Sequence, residues 1–154
     1  MTKKIAILGK LETKYDAPFD DLTWEIWSMN KHKDERLIPR VDKWFDIHIK
    51  PDKEDADVLR ADFPFEECNK LAGGNYFYTI TSYLIAYAII CGATEIALYG
   101  MRFTIDHDRR RRELENVRQW IFFALGRGIK VTIPSDKDYL LPENVLKEGQ
   151  DYDQ

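Results

Sequence analysis

Four consecutive arginines, Arg109 to Arg112, are the most unusual local feature of this chain, with Arg102 before them and Arg118 after. Guanidinium forks match phosphate oxygens, so the chemistry this run suggests is recognition of a phosphorylated anion. A charge run serves equally as a solvated helix face. Beside a helix N-terminus, each cation opposes the macrodipole by about 0.3–1 kcal/mol at low salt. An anionic ligand would relieve that cost, and so would Asp106, Asp108, Glu113 and Glu115 nearby.

His48 closes the run Trp44-Phe45-Asp46-Ile47-His48. As a general base it needs a partner, and a regular pleat is taken to send Asp46 to the other strand face. A capping or buried, hydrogen-bonded histidine is the plainer role. His32 and His107 lie in charged stretches and are expected to be solvated. Three scattered histidines make no metal site. Gly9-Lys10 follows an apolar run, but neither GxGxxG nor GxxxxGK[ST] is present, which excludes the dinucleotide and Walker fingerprints. Gly9 serves either a tight turn or a backbone approach to an anion, with Lys10 as a point charge. Thr79, Thr81 and Ser82 stand at an expected helix start, where hydroxyls cap the backbone or help bind an anion. No GxSxG elbow surrounds Ser82, so a nucleophile is not indicated. Tyr76-Phe77-Tyr78 follows Gly73-Gly74 and is the candidate platform for stacking a base, whereas Trp27 and Trp44 belong to strands and the core.

The elements that position these residues follow from short apolar runs. Lys4–Gly9, Thr23–Ser28, Trp44–His48, Glu95–Gly100 and Ile129–Ile133 read as five strands. The stretch from Thr81 to Ile90 is apolar nearly all round, as for a helix buried against a sheet. A second helix runs from about Arg111 to Leu125, with Leu114, Val117, Trp120, Ile121 and Ala124 on one stripe. A short helix opens near Asp62–Glu67, and the rest of 52–75 reads as irregular. Alternating strands and helices imply an α/β domain with a mainly parallel sheet of about five strands and right-handed crossovers. Ligands of such sheets bind beyond the carboxyl ends of the strands, where strand order reverses. That selects Gly9, Lys10, Ser28, Asn30, His48 and the residues from Gly100 to Phe103. The expected organisation is one domain over 1–140 and a polar tail over 141–154.

The 154 residues fit one domain, and the formal net charge of −4 argues against non-specific binding to duplex nucleic acid. The first ten residues carry an apolar run too short for a signal peptide or a membrane span, so the expectation is a cytoplasmic protein without a membrane partner. Cys91 sits in an apolar run and reads as core. Cys68 lies in an acidic stretch, and no CxxC pair suggests a metal or a disulfide framework. No cofactor or metal is expected.

Taken together, IAILGK, TWEIWSMN, WFDIH, TSYLIAYAIICGATEIALYGMRF and GRGIKVTIP resemble a group of small bacteriophage proteins over roughly residues 4–134. The segment Thr81–Phe103 is also similar to the motility-accessory-factor and 6-hydroxymethylpterin-pyrophosphokinase-like proteins. More distantly, it looks like the bacterial sialyltransferases that use a cytidine nucleotide sugar. The resemblance implies a Rossmann-like three-layer fold, a nucleotide-type ligand and, for a phage protein, a host-cell cytoplasm. Gly9, Asn30, His48, Ser82 and Gly100 match the pattern. Those proteins often carry Gly-Val/Ile-Asp where this chain has Gly100-Met101-Arg102, and an acidic residue where it has Arg118. Two carboxylates that could hold a metal or act as a base thus stand as arginines.

The expectation is therefore a binder of a phosphorylated, nucleotide-like small molecule, through Gly9, Lys10, Asn30, His48, Ser82, Gly100, Arg102 and Arg109. Sequestering a host defence signalling nucleotide is the role that fits it, and a homo-oligomer with sites between protomers is compatible with it. A nucleotide-dependent transferase or pyrophosphokinase, with Mg²⁺ on carboxylates such as Asp46 or Asp106, is the second reading. A protein-interaction domain without a small ligand is the third.

Overall fold

A computed structural model describes residues 1–101 and 108–133. Arg102, Asp106, His107, the domain boundary at 140 and the expected tail over 141–154 lie outside the described residues. The strands are β1 (Lys4–Leu8), β2 (Trp24–Met29), β3 (Lys43–Asp46), β4 (Val58–Leu59), β5 (Glu95–Tyr99) and β6 (Lys130–Thr132). The helices are α1 (Phe65–Leu71), α2 (Ile80–Ile90) and α3 (Asp108–Gly126). All described strands form one parallel sheet in the order β4-β3-β2-β1-β5-β6. The α/β class and the parallel sheet expected from the sequence are thus what the chain adopts. The sixth strand is β4, only two residues long and paired with Phe45 and Asp46, in a stretch expected to be irregular. Two residues are too few to show any period.

β1 lies at the centre because Ile5, Ala6, Ile7 and Leu8 are apolar on both faces of the pleat, and all four are fully buried. Alternate side chains then build two cores. Ile5, Ile7, Trp27, Phe45, Ile96 and Leu98 face α2 and α3 in the larger one. Ala6, Leu8, Ile26, Ala97 and Tyr99 face the opposite way in a smaller one. Among the described residues, that second face is covered by the segment carrying Ala17 and Phe19, which includes a 3-10 helix over Glu12–Asp16, rather than by an α-helix. α2 is wedged between α1, α3 and the sheet, which explains why its sequence is apolar nearly all round. Removing a buried leucine there, such as Leu84, costs about 2–5 kcal/mol.

The chain builds outward from β1 to β4, then crosses back to place β5 and β6 on the other side of β1. Strand order therefore reverses between β1 and β5. In open α/β sheets such a reversal is where a ligand crevice lies, beyond the carboxyl ends of the strands. The thiols differ from expectation. Cys68 is the fully buried one, its pKa pushed up to about 12 by burial, while Cys91 at the end of α2 is only partly covered. One turn of α1 carries Cys68 inward although its sequence neighbours are acidic.

Candidate functional site

At the reversal point the backbones of Gly9 and Gly100 touch. Gly9 N–H donates to the Tyr99 carbonyl at 2.7 Å and Leu11 N–H to the Gly100 carbonyl at 3.1 Å. A Cβ on Gly9 would stand 2.3 Å from the Gly100 carbonyl oxygen, and Gly100 itself has φ +69°. Only glycine fits either position, so two crossing backbones form the floor where a side chain would otherwise fill the crevice. Thr13 fixes this floor by accepting Gly100 N–H at 2.9 Å.

Above the floor is a cleft of about 1340 Å³. It gathers the strand-end residues Gly9, Lys10, Asn30, His48, Gly100 and, from α3, Arg109 into one place. Lys50, Arg60, Arg110 and Glu113 join them, so that among the described residues five Lys or Arg side chains and one carboxylate border the cleft. Glu113 is engaged by Arg109 at 3.3 Å and by Arg110 at 3.4 Å. Arg60 is braced by donating to the Ile47 carbonyl at 3.0 Å and by lying over the Phe65 ring. The arginine run extends α3 one turn further toward its N-terminus than the apolar stripe suggested, to Asp108. Asp108 approaches Arg111 at 3.9 Å, and Arg111 does not line the cleft.

Asn30 enters the cleft with φ +59°, a left-handed conformation that asparagine tolerates better than most residues. Its backbone is clamped: N–H donates to Phe45 at 2.8 Å, and the carbonyl accepts Trp44 Nε1 at 2.6 Å. Its Oδ1 is buried with no hydrogen-bond partner among the described residues. The N-terminus of α2 forms the opposite wall, capped by Thr79, whose hydroxyl accepts Ser82 N–H at 3.0 Å. Ser82 is fully buried and does not reach the cleft. Its hydroxyl donates to Asn116 Oδ1 at 2.7 Å, so capping accounts for it. Ser28 is likewise buried, against His32 Nε2 at 3.1 Å.

Asn116 of α3 shapes this wall. It donates to the Tyr76 carbonyl at 2.6 Å and accepts Tyr78 N–H at 2.6 Å. Trp120 Nε1 also donates to the Tyr76 carbonyl, at 3.0 Å. Phe77 stacks between Tyr83 and Trp120, which leaves Tyr78 about half exposed at the mouth of the cleft.

His48 and Asp46 are paired, contrary to the expectation that Asp46 faces away. β3 ends at Asp46, and residues two apart on a pleat share a face in any case. Asp46 Oδ1 lies 2.6 Å from His48 Nδ1 and accepts His48 N–H at 3.2 Å. Its Oδ2 accepts Asp52 N–H and Lys53 N–H, both at 3.0 Å. The loop after β3 thus wraps around a carboxylate that has no solvent exposure. Burial alone would raise its pKa; the Lys53 and His48 donors outweigh that and hold it below the ordinary carboxylate value. His48 is half exposed and borders the cleft.

His32 also departs from expectation. It is buried rather than solvated. Its Nδ1 meets the ammonium of Lys14 at 2.9 Å, and its Nε2 lies 3.0 Å from the Met29 carbonyl. Lys14, itself only 1% exposed, also donates to the Lys10 carbonyl at 3.1 Å and to Asp34 Oδ1 at 2.7 Å. Tyr15 donates its hydroxyl to the other oxygen of Asp34. This network ties the backbone of Lys10 to the loop after β2. A lone lysine in a polar stretch gave no sign of it.

Among the described residues no group of three or more His, Cys, Asp or Glu side chains could hold a metal ion, and no helix is long and apolar enough to cross a membrane. No family model matches the chain, and no curated protein sequence matches it. Among solved structures it is similar to the sialyltransferase CST-II in complex with trisaccharide acceptor and CMP. The likeness covers 90% of this chain and 85% of that one, at 15% identity and a TM-score of 0.49. At that distance it says nothing of ligand or reaction.

Proposed function

We propose that the cleft at the β1/β5 reversal binds a phosphorylated, nucleotide-like ligand. One observation carries this: Lys10, Lys50, Arg60, Arg109 and Arg110 converge on the strand ends of a chain whose net charge is −4. Cations concentrated against the chain's overall sign fit an anion, and the guanidinium forks suit phosphate oxygens. The unpartnered Asn30 Oδ1 and the exposed Tyr78 ring favour more than bare phosphate. They offer an acceptor for a sugar or base donor and a face for a base. Sequestration of a host defence signalling nucleotide is the role we assign to such binding.

A pyrophosphokinase-like use of Asp46 as a Mg²⁺ ligand has no support, since both of its oxygens are committed to protein donors. The binding reading is tested by calorimetric titration of ribonucleotides into the wild type and into Lys10→Glu/Arg109→Glu. The double variant should bind at least tenfold more weakly, given roughly 1.5–3 kcal/mol for a hydrogen bond to a charged group. Wild-type affinity that rises with added salt, or no binding at all, would leave a protein-interaction domain as the better account.

A further inference from the structure

We infer that Asp46 and His48 form an acid–base pair, in which His48 takes a proton from a water attacking a phosphorus of the ligand held in the same cleft. The inference rests on the binding reading above, with turnover rather than sequestration as the fate of the bound ligand. The pair has the parts a proton acceptor needs. Asp46 is a fixed carboxylate, sealed from solvent and held by N–H donors from three residues. An ionised carboxylate only accepts hydrogen bonds, so the 2.6 Å contact places the ring hydrogen of neutral His48 on Nδ1. Nε2 then carries the lone pair of a half-exposed ring that borders the cleft. Asp46 is a positioning residue here; His48 is the group that meets the reacting atoms.

The same inventory narrows the reaction. The other carboxylate bordering the cleft, Glu113, is occupied by Arg109 and Arg110, so His48 is the acid–base group at hand among the described residues. A single base suits a reaction whose leaving group departs as a stable anion without needing a proton. A phosphoanhydride meets that condition, because the leaving group is itself a phosphate. In the step, the O–H bond of water breaks and its proton goes to Nε2. The water oxygen bonds to phosphorus as the bridging P–O bond breaks. The bonding pair leaves on the bridging oxygen, where Lys10, Lys50 and the α3 arginines meet its charge. The imidazolium, facing Asp46, then returns its proton to solvent. The net reaction consumes one water, gives two phosphate products and releases one proton.

The test uses the full chain with ATP, GTP, CTP and UTP, each with and without Mg²⁺. Binding is measured by calorimetry and products by phosphorus NMR. At least one bound triphosphate should be hydrolysed. His48→Asn should then lower kcat by about 100-fold or more, the usual share of general-base catalysis, with KM changed only a few-fold. Asp46→Asn should lower kcat and displace the acid limb of the pH–rate profile, which a purely structural role would not do. A bound triphosphate recovered intact from the wild type overturns the inference and leaves the binding reading standing. So does unchanged turnover in His48→Asn. If none of the four binds, both readings fall.

Discussion

Two histidines flank the same strand ends and are held in opposite ways. His32 is enclosed, with Nδ1 on the Lys14 ammonium and Nε2 toward the Met29 carbonyl and the Ser28 hydroxyl. His48 is pinned through Nδ1 to a buried carboxylate and opens its other edge to a cleft. An ammonium has no lone pair, so His32 Nδ1 must accept and its hydrogen sits on Nε2, the reverse of His48. The difference separates a brace from a reagent. A ring with both nitrogens engaged within the protein rigidifies two loops, whereas a ring with one engaged nitrogen can exchange a proton with whatever enters.

The comparison breaks most visibly at Lys14. Lys14→Met keeps the volume but leaves His32 Nδ1, the Lys10 carbonyl and Asp34 without their shared donor. Asp34 keeps contact with water, so no charge is stranded, but leaving a buried acceptor without its donor costs about 1–3 kcal/mol, and His32 Nδ1 and the Lys10 carbonyl both lose theirs. Thermal unfolding should show a Tm lower by roughly 6–12 °C for a chain of this size. A drop of only a degree or two would mean that the network is not a brace.

How much of this was legible beforehand follows from the same residues. The strands and α2 announced themselves through apolar runs, and a strand-ending glycine marked both Gly9 and Gly100. The reversal rule then placed Asn30 and His48 at the right edge. The partners were hidden. Strand alternation alone does not pair Asp46 with His48, because the loop that closes over Asp46 through Asp52 and Lys53 has no period to read. Lys14 and His32 sit among charged neighbours, and only tertiary packing buries them. Lys50 comes from an irregular loop and Arg60 from a three-residue 3-10 helix directly after β4, so nothing in their spacing tied them to the arginines of α3.

Acid sharpens the comparison at intermediate size. Burial, and then the charge of Lys14, lower the pKa of His32 below its ordinary 6.5. The unfolded chain therefore takes up that proton first, so stability is complete above about pH 6.5 and declines as the pH falls below it. Asp34 is lowered from 3.8 to about 2, chiefly by the hydrogen bond from Lys14 and next by that from Tyr15. Its contribution is complete above about pH 4 and is lost as the pH falls toward 2. Urea unfolding followed from pH 8 to pH 3 should show an upper decline that is reduced in His32→Asn and a lower one that persists. An upper decline of equal size in His32→Asn would show that His32 is not the group responsible.

The smallest expected effect is the most discriminating. His48→Asn removes a half-exposed ring whose side-chain hydrogen bond among the described residues is to Asp46, and the amide can still donate toward Asp46. The three backbone donors to that carboxylate remain, from His48, Asp52 and Lys53. Stability should therefore stay within about 0.5 kcal/mol of the wild type, as for surface positions generally. Denaturant midpoints at constant slope are the measurement. A loss of 2 kcal/mol or more would put His48 beside His32 as a second brace. It would also remove the ground for treating its open edge as free to carry a proton.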